Sequence, residues 1–335
     1  MKILTAAQIR QADQATIEQE KIESVELMER AARAFTAWFE NKFLNRQPVY
    51  IFCGPGNNSV DGLAVARLLL QRNYTTAVYT LRAGATPSPD FTTNFNRLND
   101  LQQVVELKEE QDFPSVPADA VVIDALFGTG LNRPVSGLFG QLIRHINSHS
   151  TCTVAIDIPS GLFTDSQTPE EGAITEAAYT ISFELPKLAF LLPQHYRYVG
   201  QWQVVPIGLS SQFIQDVQTN VYCVSPDMIA PLLQPRKPFS HKGTFGHVML
   251  LAGSYGKMGA AVLATKACLR SGAGLVSVHV PQRGYDIIQT AAPEAMASVD
   301  KNRRHLSQLP DLENYTAVGA GPGLGQEPAT KSAIG

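Results

Sequence analysis

Cysteine is scarce: four residues in 335, at Cys53, Cys152, Cys223 and Cys268, with no CxxC pair among them. This excludes a disulfide framework or a cysteine zinc cluster and predicts buried free thiols, the usage of a reducing compartment. No stretch approaches the ~20 apolar residues needed to cross a bilayer. The opening, MKILTAAQIRQADQ, lacks the apolar core of a secretory leader. Excess charge is also missing. A net charge of −3 and a pI near 6.2 give neither nucleic acid nor an anionic membrane surface a broad electrostatic hold. The seven histidines show no ligand spacing, and the chain has no internal repeat or low-complexity tract. Together these absences predict a cytoplasmic protein that handles a small molecule.

What is present suits a globular α/β chain. Hydrophobic residues make up 44% and charged residues 17%, enough to build cores. A length of 335 exceeds what one core usually organises, so two domains are expected, one large α/β domain being the alternative. Thr5 and Gln8 form a capping-box pattern. From Ser24, Leu27, Met28, Ala31, Ala32, Phe35, Trp38 and Phe39 recur at helical spacing, so two helices open the chain. A βαβ rhythm follows: strands at 49–53, 75–81, 120–123 and 153–158, helices near 63–70 and 138–146, and further strands at 179–183 and 203–207. The strands read as near-continuous Val, Ile and Ala, as expected for a parallel sheet covered on both faces. Pro226, Pro231, Pro235 and Pro238 mark a joint at 225–240. We place the division at residue 225, giving domains 1–225 and 226–335. Beyond it, strands at 247–251, 275–280 and 317–319 and a helix at 258–271 begin a second α/β pattern.

Open parallel sheets bind ligands at the carboxyl ends of their strands, where helix N-termini present unpaired N–H groups. The polar punctuation sits at those ends. The first strand runs into GPGNNSVDG (54–62), the next long one ends at Asp124, and a third ends at Asp157 before Pro159, Ser160 and Gly161. Glycines there let backbone approach a phosphate, although Asp61 would serve equally as a helix cap. Lys187 would reach a phosphate or the aspartates, or else lie exposed.

Four ordered motifs, GPGNNSVDGLAVAR, DALFGTGLNRPVSG, AIDIPSGL and FELPKLAFLLPQHYRYVGQW, resemble the NAD(P)H-hydrate epimerase family over nearly all of residues 1–225. The resemblance implies a three-layer Rossmann-like parallel sheet with helices on both faces. It implies substrate contacts at Asn57, Asn58, Ser59, Val60 and Asp61, at Gly128, Thr129, Gly130, Leu131, Asn132, Arg133 and Pro134, and at Asp157; we expect Asp157 to be the catalytic acid/base, since a carboxylate within reach of a leaving hydroxyl can make both proton transfers. Asn58, Asp124 and Ser160 would hold a potassium ion, a set of hard oxygen donors that suits it. The reaction implied is interconversion of the R and S forms of NADH or NADPH hydrated at C6 of the nicotinamide ring. A homo-oligomer is expected. One departure stands out: the family usually reads NNGGDG where this chain has NNSVDG. If position 60 needs a positive φ, valine would be strained there; if it has ordinary β dihedrals, its side chain would touch the nucleotide.

From Pro235, RKPFSHKGTFGHVMLLAGSYGKMGAAVLATKACLRSGAGLVSV, then AAPEAMAS and GAGPGLG, resemble the start of the ribokinase-like ADP- or ATP-dependent NAD(P)H-hydrate dehydratase. The resemblance implies hydrate contacts at Ala260 and Gly323, a mouth shaped by Lys242, Gly243 and 253–259, and use of ADP or ATP with Mg2+. The family's later nucleotide-phosphate site has no counterpart before Gly335. We therefore expect this chain to lack dehydratase activity and its incomplete second domain to be poorly stable. Three rival readings are a dinucleotide-dependent oxidoreductase, disfavoured because GPGNNS does not match a GxGxxG turn; a non-catalytic module on the same fold; and, for the second domain, a small-alcohol kinase.

Overall fold

The computed structural model describes residues 1–233 and 235–335; Gln234, inside the expected joint, lies outside the described residues. The chain divides into two compact units, Met1–Leu232 and Leu233–Gly335. The turns after residue 225 therefore stay with the first unit. The segment just before them is tied to the N-terminal edge by a bridge between Lys2 and Tyr222 and by the Ile3 N–H on the Val221 carbonyl at 3.0 Å.

The first unit opens with α1 (Ala6–Glu20) and α2 (Ser24–Lys42), and the Thr5 and Gln8 side chains do cap α1 reciprocally. Strands β1 (Val49–Cys53), β2 (Thr76–Thr80), β3 (Val104–Glu106), β4 (Val121–Ala125), β5 (Thr153–Ile156), β6 (Tyr179–Phe183) and β7 (Gln201–Val205) form one sheet, ordered β3-β2-β1-β4-β5-β6-β7. Every pairing is parallel. Helices α3 (Asn57–Gln71), α4 (Pro89–Asn99) and α5 (Gly137–His149) provide crossovers.

Strand alternation explains the two apolar layers. Val49, Ile51 and Cys53 of β1, with Val121 and Ile123 of β4, join a core under α2, α3 and α4. Phe52 and Val122, one residue out of step, join Leu142, Ile143 and Ile146 of α5 on the other face. The four cysteines are free, but only Cys53 is buried; Cys152, Cys223 and Cys268 are half-buried, because their positions lie outside the central strands.

In the second unit, β8 (His247–Leu251), β9 (Leu275–Val280), β10 (Met296–Val299) and β11 (Ala317–Ala320) form a parallel sheet ordered β10-β9-β8-β11. The helix Met258–Arg270 packs Met258 and Ala261 on Leu250, Val276 and Val278. Val299 and Val318, on the two edge strands, are exposed. Among the described residues no helix is long and apolar enough to cross a membrane.

The strand order reverses between β1 and β4: the chain leaves β1 outward to β2 and β3, then returns to β4 on the opposite flank. Loops leaving β1 and β4 must therefore part, opening a crevice at the carboxyl edge. Gly54 sets how close those loops come. A Cβ on Gly54 would sit 1.9 Å from the Leu126 carbonyl oxygen, a clash with backbone that no rotamer relieves. Gly54→Ala is expected to cost on the order of 3 kcal/mol, read as a lower midpoint in urea unfolding of the whole chain; an unchanged midpoint would refute the close approach.

Candidate active site

A cavity of about 570 Å3 lies at this crevice. Its floor comes from strand ends and the loops beyond them: Asn57, Asn58 and Asp61 at the start of α3, Gly128 to Leu131 after β4, and Asp157 after β5. α1 supplies a wall through Ile9, Arg10, Asp13, Gln14 and Ile17, and α2 adds Leu27, Met28 and Ala31. α3 has Gly56 at its N-cap and no capping side chain, so no side chain competes for the Asn57 and Asn58 N–H groups at its start, as an anion site requires.

The expected contacts divide into three groups. Asn57, Asn58, Asp61, Gly128, Thr129, Gly130, Leu131 and Asp157 line this cavity together. Asn132, Arg133 and Pro134 instead line a neighbouring recess with Arg82, which shares Pro55, Phe127, Gly130 and Leu131 with the first. Ser59 and Val60 belong to neither. Both are fully buried within α3, whose helical turn directs them away from the mouth: Val60 joins the core and the Ser59 hydroxyl returns to the Gly56 carbonyl at 2.5 Å. Val60 is helical, not among the residues with positive φ. The helix begins three residues earlier, so valine is unstrained there and its side chain packs into the core instead of lining the cavity. Ala260 and Gly323 lie in the second unit, where a Cβ on Gly323 would be 3.1 Å from the Ala260 Cβ.

Asp124 and Ser160 sit beneath the floor, both fully buried. The Ser160 hydroxyl donates to Asp124 Oδ1 at 2.6 Å and the Ser160 N–H to Oδ2 at 2.8 Å; the Leu126 N–H reaches Oδ1 at 3.2 Å. Asn58 joins this knot through the Phe127 carbonyl, 3.2 Å from its amide nitrogen. Burial raises the Asp124 pKa, opposed mainly by Ser160. Among the described residues Asp124 forms no ion pair, and the buried Thr175 hydroxyl also lies beside it. A buried carboxylate with hydrogen bonds but no cationic partner, beside hydroxyl, amide and carbonyl oxygens, fits a hard monovalent cation.

Asp157 is held differently. It takes φ +64, a left-handed conformation that costs energy outside glycine and is found at constrained functional positions. Its Oδ1 accepts the Phe183 N–H at 3.0 Å and the Lys187 ammonium. Lys187 is not exposed: it is fully buried and also donates to the Ser182 hydroxyl at 2.7 Å.

Two more acids stand beside this pair: Asp61, which the first motif supplies, and Asp13, which no motif reaches. One oxygen of Asp61 is sealed from water without a partner, and burial, then the charges of Asp157 and Asp13, lift its pKa well above the usual carboxylate range. Asp13 is pushed from its usual 3.8 up to about 6 by burial first and by Asp157 second, with Lys187 opposing. A signal for Asp13 did exist: with Ile9 and Ile17 it forms an i, i+4, i+8 row along α1, an apolar stripe interrupted by a carboxylate.

With this geometry in view, comparison with known proteins is informative. Residues 24–189 match the family described as YjeF-related protein N-terminus, and residues 248–335 match NAD(P)H-hydrate dehydratase. The bifunctional NAD(P)H-hydrate repair enzyme Nnr of Moorella thermoacetica is 32% identical over 98% of this chain and 65% of its own. This chain belongs to the NAD(P)H-hydrate repair enzyme family. The Escherichia coli K12 repair enzyme is 32% identical over 92% of this chain and 58% of its own. Yeast ynu0, in its crystal structure, shares the fold with a TM-score of 0.55 at 18% identity, over 68% of this chain and 98% of its own. The chain spans 64–66% of the length of the first repair enzymes it matches. The expected lack of dehydratase activity finds no support, since 248–335 match the dehydratase family itself.

In this member of the repair enzyme family the raised Asp13 pKa has a consequence for stability. The folded value, about 6, lies above the ordinary 3.8 of an unfolded chain, so the native state binds the proton more tightly. Stability from this group is fully present below about pH 4 and is lost as pH rises through about 6. Asp13→Asn is therefore expected to be more stable than the natural chain at pH 8, on the order of 2 kcal/mol, and nearly equal to it at about pH 4. Thermal melts across pH check this; equal stability at both ends would show that Asp13 is freely solvated.

Proposed function

We propose that the first unit interconverts the R and S hydrates of NADH or NADPH, with Asp157 moving the proton at the C6 hydroxyl. The carrying observation is the Asp157 carboxylate at the cavity, fixed by Lys187 and the Phe183 N–H in a left-handed backbone conformation. The reacting hydroxyl sits on a carbon beside the ring nitrogen. Nitrogen lone-pair donation expels it once it is protonated, and the planar cation that results is open to water from either face. The chain therefore needs to hold the dinucleotide, move protons and stabilise charge.

The open N–H groups of α3 suit the pyrophosphate, and the glycine-rich 128–131 stretch admits the ligand close to backbone. The adjoining recess with Arg133 extends the contact surface to Asn132 and Pro134. Asn58, Asp124 and Ser160 would hold potassium, which supplies the positive charge that the buried Asp124 lacks. Their role is to fasten the loops after β4 and β5 beneath the substrate. The second unit we read as the opening of a ribokinase-like dehydratase that consumes the S hydrate with ADP or ATP and Mg2+, with Ala260 and Gly323 against the hydrate. We place the protein in the cytoplasm as a homo-oligomer.

Chromatographic separation of the two hydrates tests this reading. The natural chain is expected to equilibrate a single epimer, faster with potassium than with lithium. Asp157→Asn is expected to lower the rate by at least about 10²-fold while still binding the dinucleotide. Full activity in Asp157→Asn would remove Asp157 from the chemistry. A natural chain that binds the hydrates without equilibrating them would be a binding module.

A further inference from the structure

An epimerase must deliver and remove protons on both faces of its substrate, and one carboxylate at a strand end reaches only one. A second acid lines the same cavity from a different element. Asp13 sits mid-way along α1, the wall, whereas Asp157 stands at the end of β5, on the floor. The Asp13 carboxyl makes no hydrogen bond or ion pair among the described residues, although the side chain is half-buried. A half-buried carboxyl without a partner costs stability, and such a cost is commonly retained where a ligand supplies the partner. The other charged groups lining the cavity are Arg10 on α1, Asp61 on α3 and Lys187 after β6; α2 and the 127–131 loop contribute none.

We propose that Asp13 is a second catalytic acid/base, working with Asp157 across the nicotinamide ring, one carboxyl on each face. The inference rests on the epimerase reading above and deepens it. The C6–O bond breaks with its electron pair on oxygen, which takes the proton of the carboxylic acid on that face and leaves as water. The ring nitrogen lone pair fills the vacancy as a C6=N1 iminium. Water then adds to C6 from the opposite face, its surplus proton passes to the carboxylate there, and the π pair returns to nitrogen. One proton thus crosses from one aspartate to the other in each inversion. Lys187 makes the two carboxyls unequal: it pairs with Asp157 and leaves Asp13 without a cationic partner. Burial and then the charge of Asp157 push the Asp13 carboxyl up to about 6, so it holds its proton more tightly than a solvated aspartate.

The test follows inversion and oxygen exchange together, in isotopically labelled water, with the full chain. The natural protein should incorporate label with inversion, and its rate should fall as pH rises through about 6. Asp13→Asn should slow inversion by about 10²–10⁴-fold, lose that descending limb, and still exchange label with retained configuration from the epimer whose hydroxyl faces Asp157. Asp13→Glu should recover part of the inversion. A thermal melt confirms that each variant is folded. Equal losses of inversion and exchange in Asp13→Asn, or inversion at the natural rate, would overturn the inference. If the natural chain inverts neither epimer, the epimerase reading itself falls and takes this one with it.

Discussion

A carboxylate sealed inside a protein has to be answered by something, and at Asp124 the answer organises the whole carboxyl edge of the first sheet. The group is the penultimate residue of a central strand, where water cannot follow. The hydroxyl and amide of Ser160 and the amide of Leu126 come to it, from the loops after β5 and β4. Those loops are thereby held side by side. The same tie sets Phe127, and through it Asn58, so three separate segments share one buried anchor. Removing the anchor would not merely delete a ligand. It would release the backbone that presents Asp157 and the 128–131 stretch to the cavity.

Much of this was legible in the residues. β1, β6, β8 and β9 begin and end at the positions their apolar runs indicate, since strands covered on both faces need uninterrupted hydrophobic side chains. The helix at 89–99 and the short strand at 104–106 left weaker traces. The first is mostly polar, with Phe91, Asn94 and Leu98 alone buried, and the second, Val104 to Glu106, is exposed at a sheet edge. Edge elements carry little periodic signal because little of them is covered.

The site was legible by motif and less so by direction. Eight of the expected contacts meet at one cavity, but a motif does not say which side chains turn inward. Ser59 and Val60 turn to the core because α3 already runs through them. Lys187 was ambiguous because a lysine is normally solvated; only the coincidence of Asp157 and Ser182 at its head makes burial tolerable. Asp13 was hidden because its helix reads as an ordinary surface helix until something is packed against it.

The wall formed by α1 carries a last consequence. That helix precedes the stretch, 24–189, that defines the family match, and the chain beside it is fastened to residues beyond that stretch. The Lys2 ammonium binds the carbonyls of Gln215 and Val217, and the Thr219 hydroxyl binds the Ile3 carbonyl. One side of the pocket is therefore a lean-to, propped from the far end of the unit. How tightly that side closes over a ligand is therefore set by contacts far from the strand ends, at Lys2, Ile3 and 215–219.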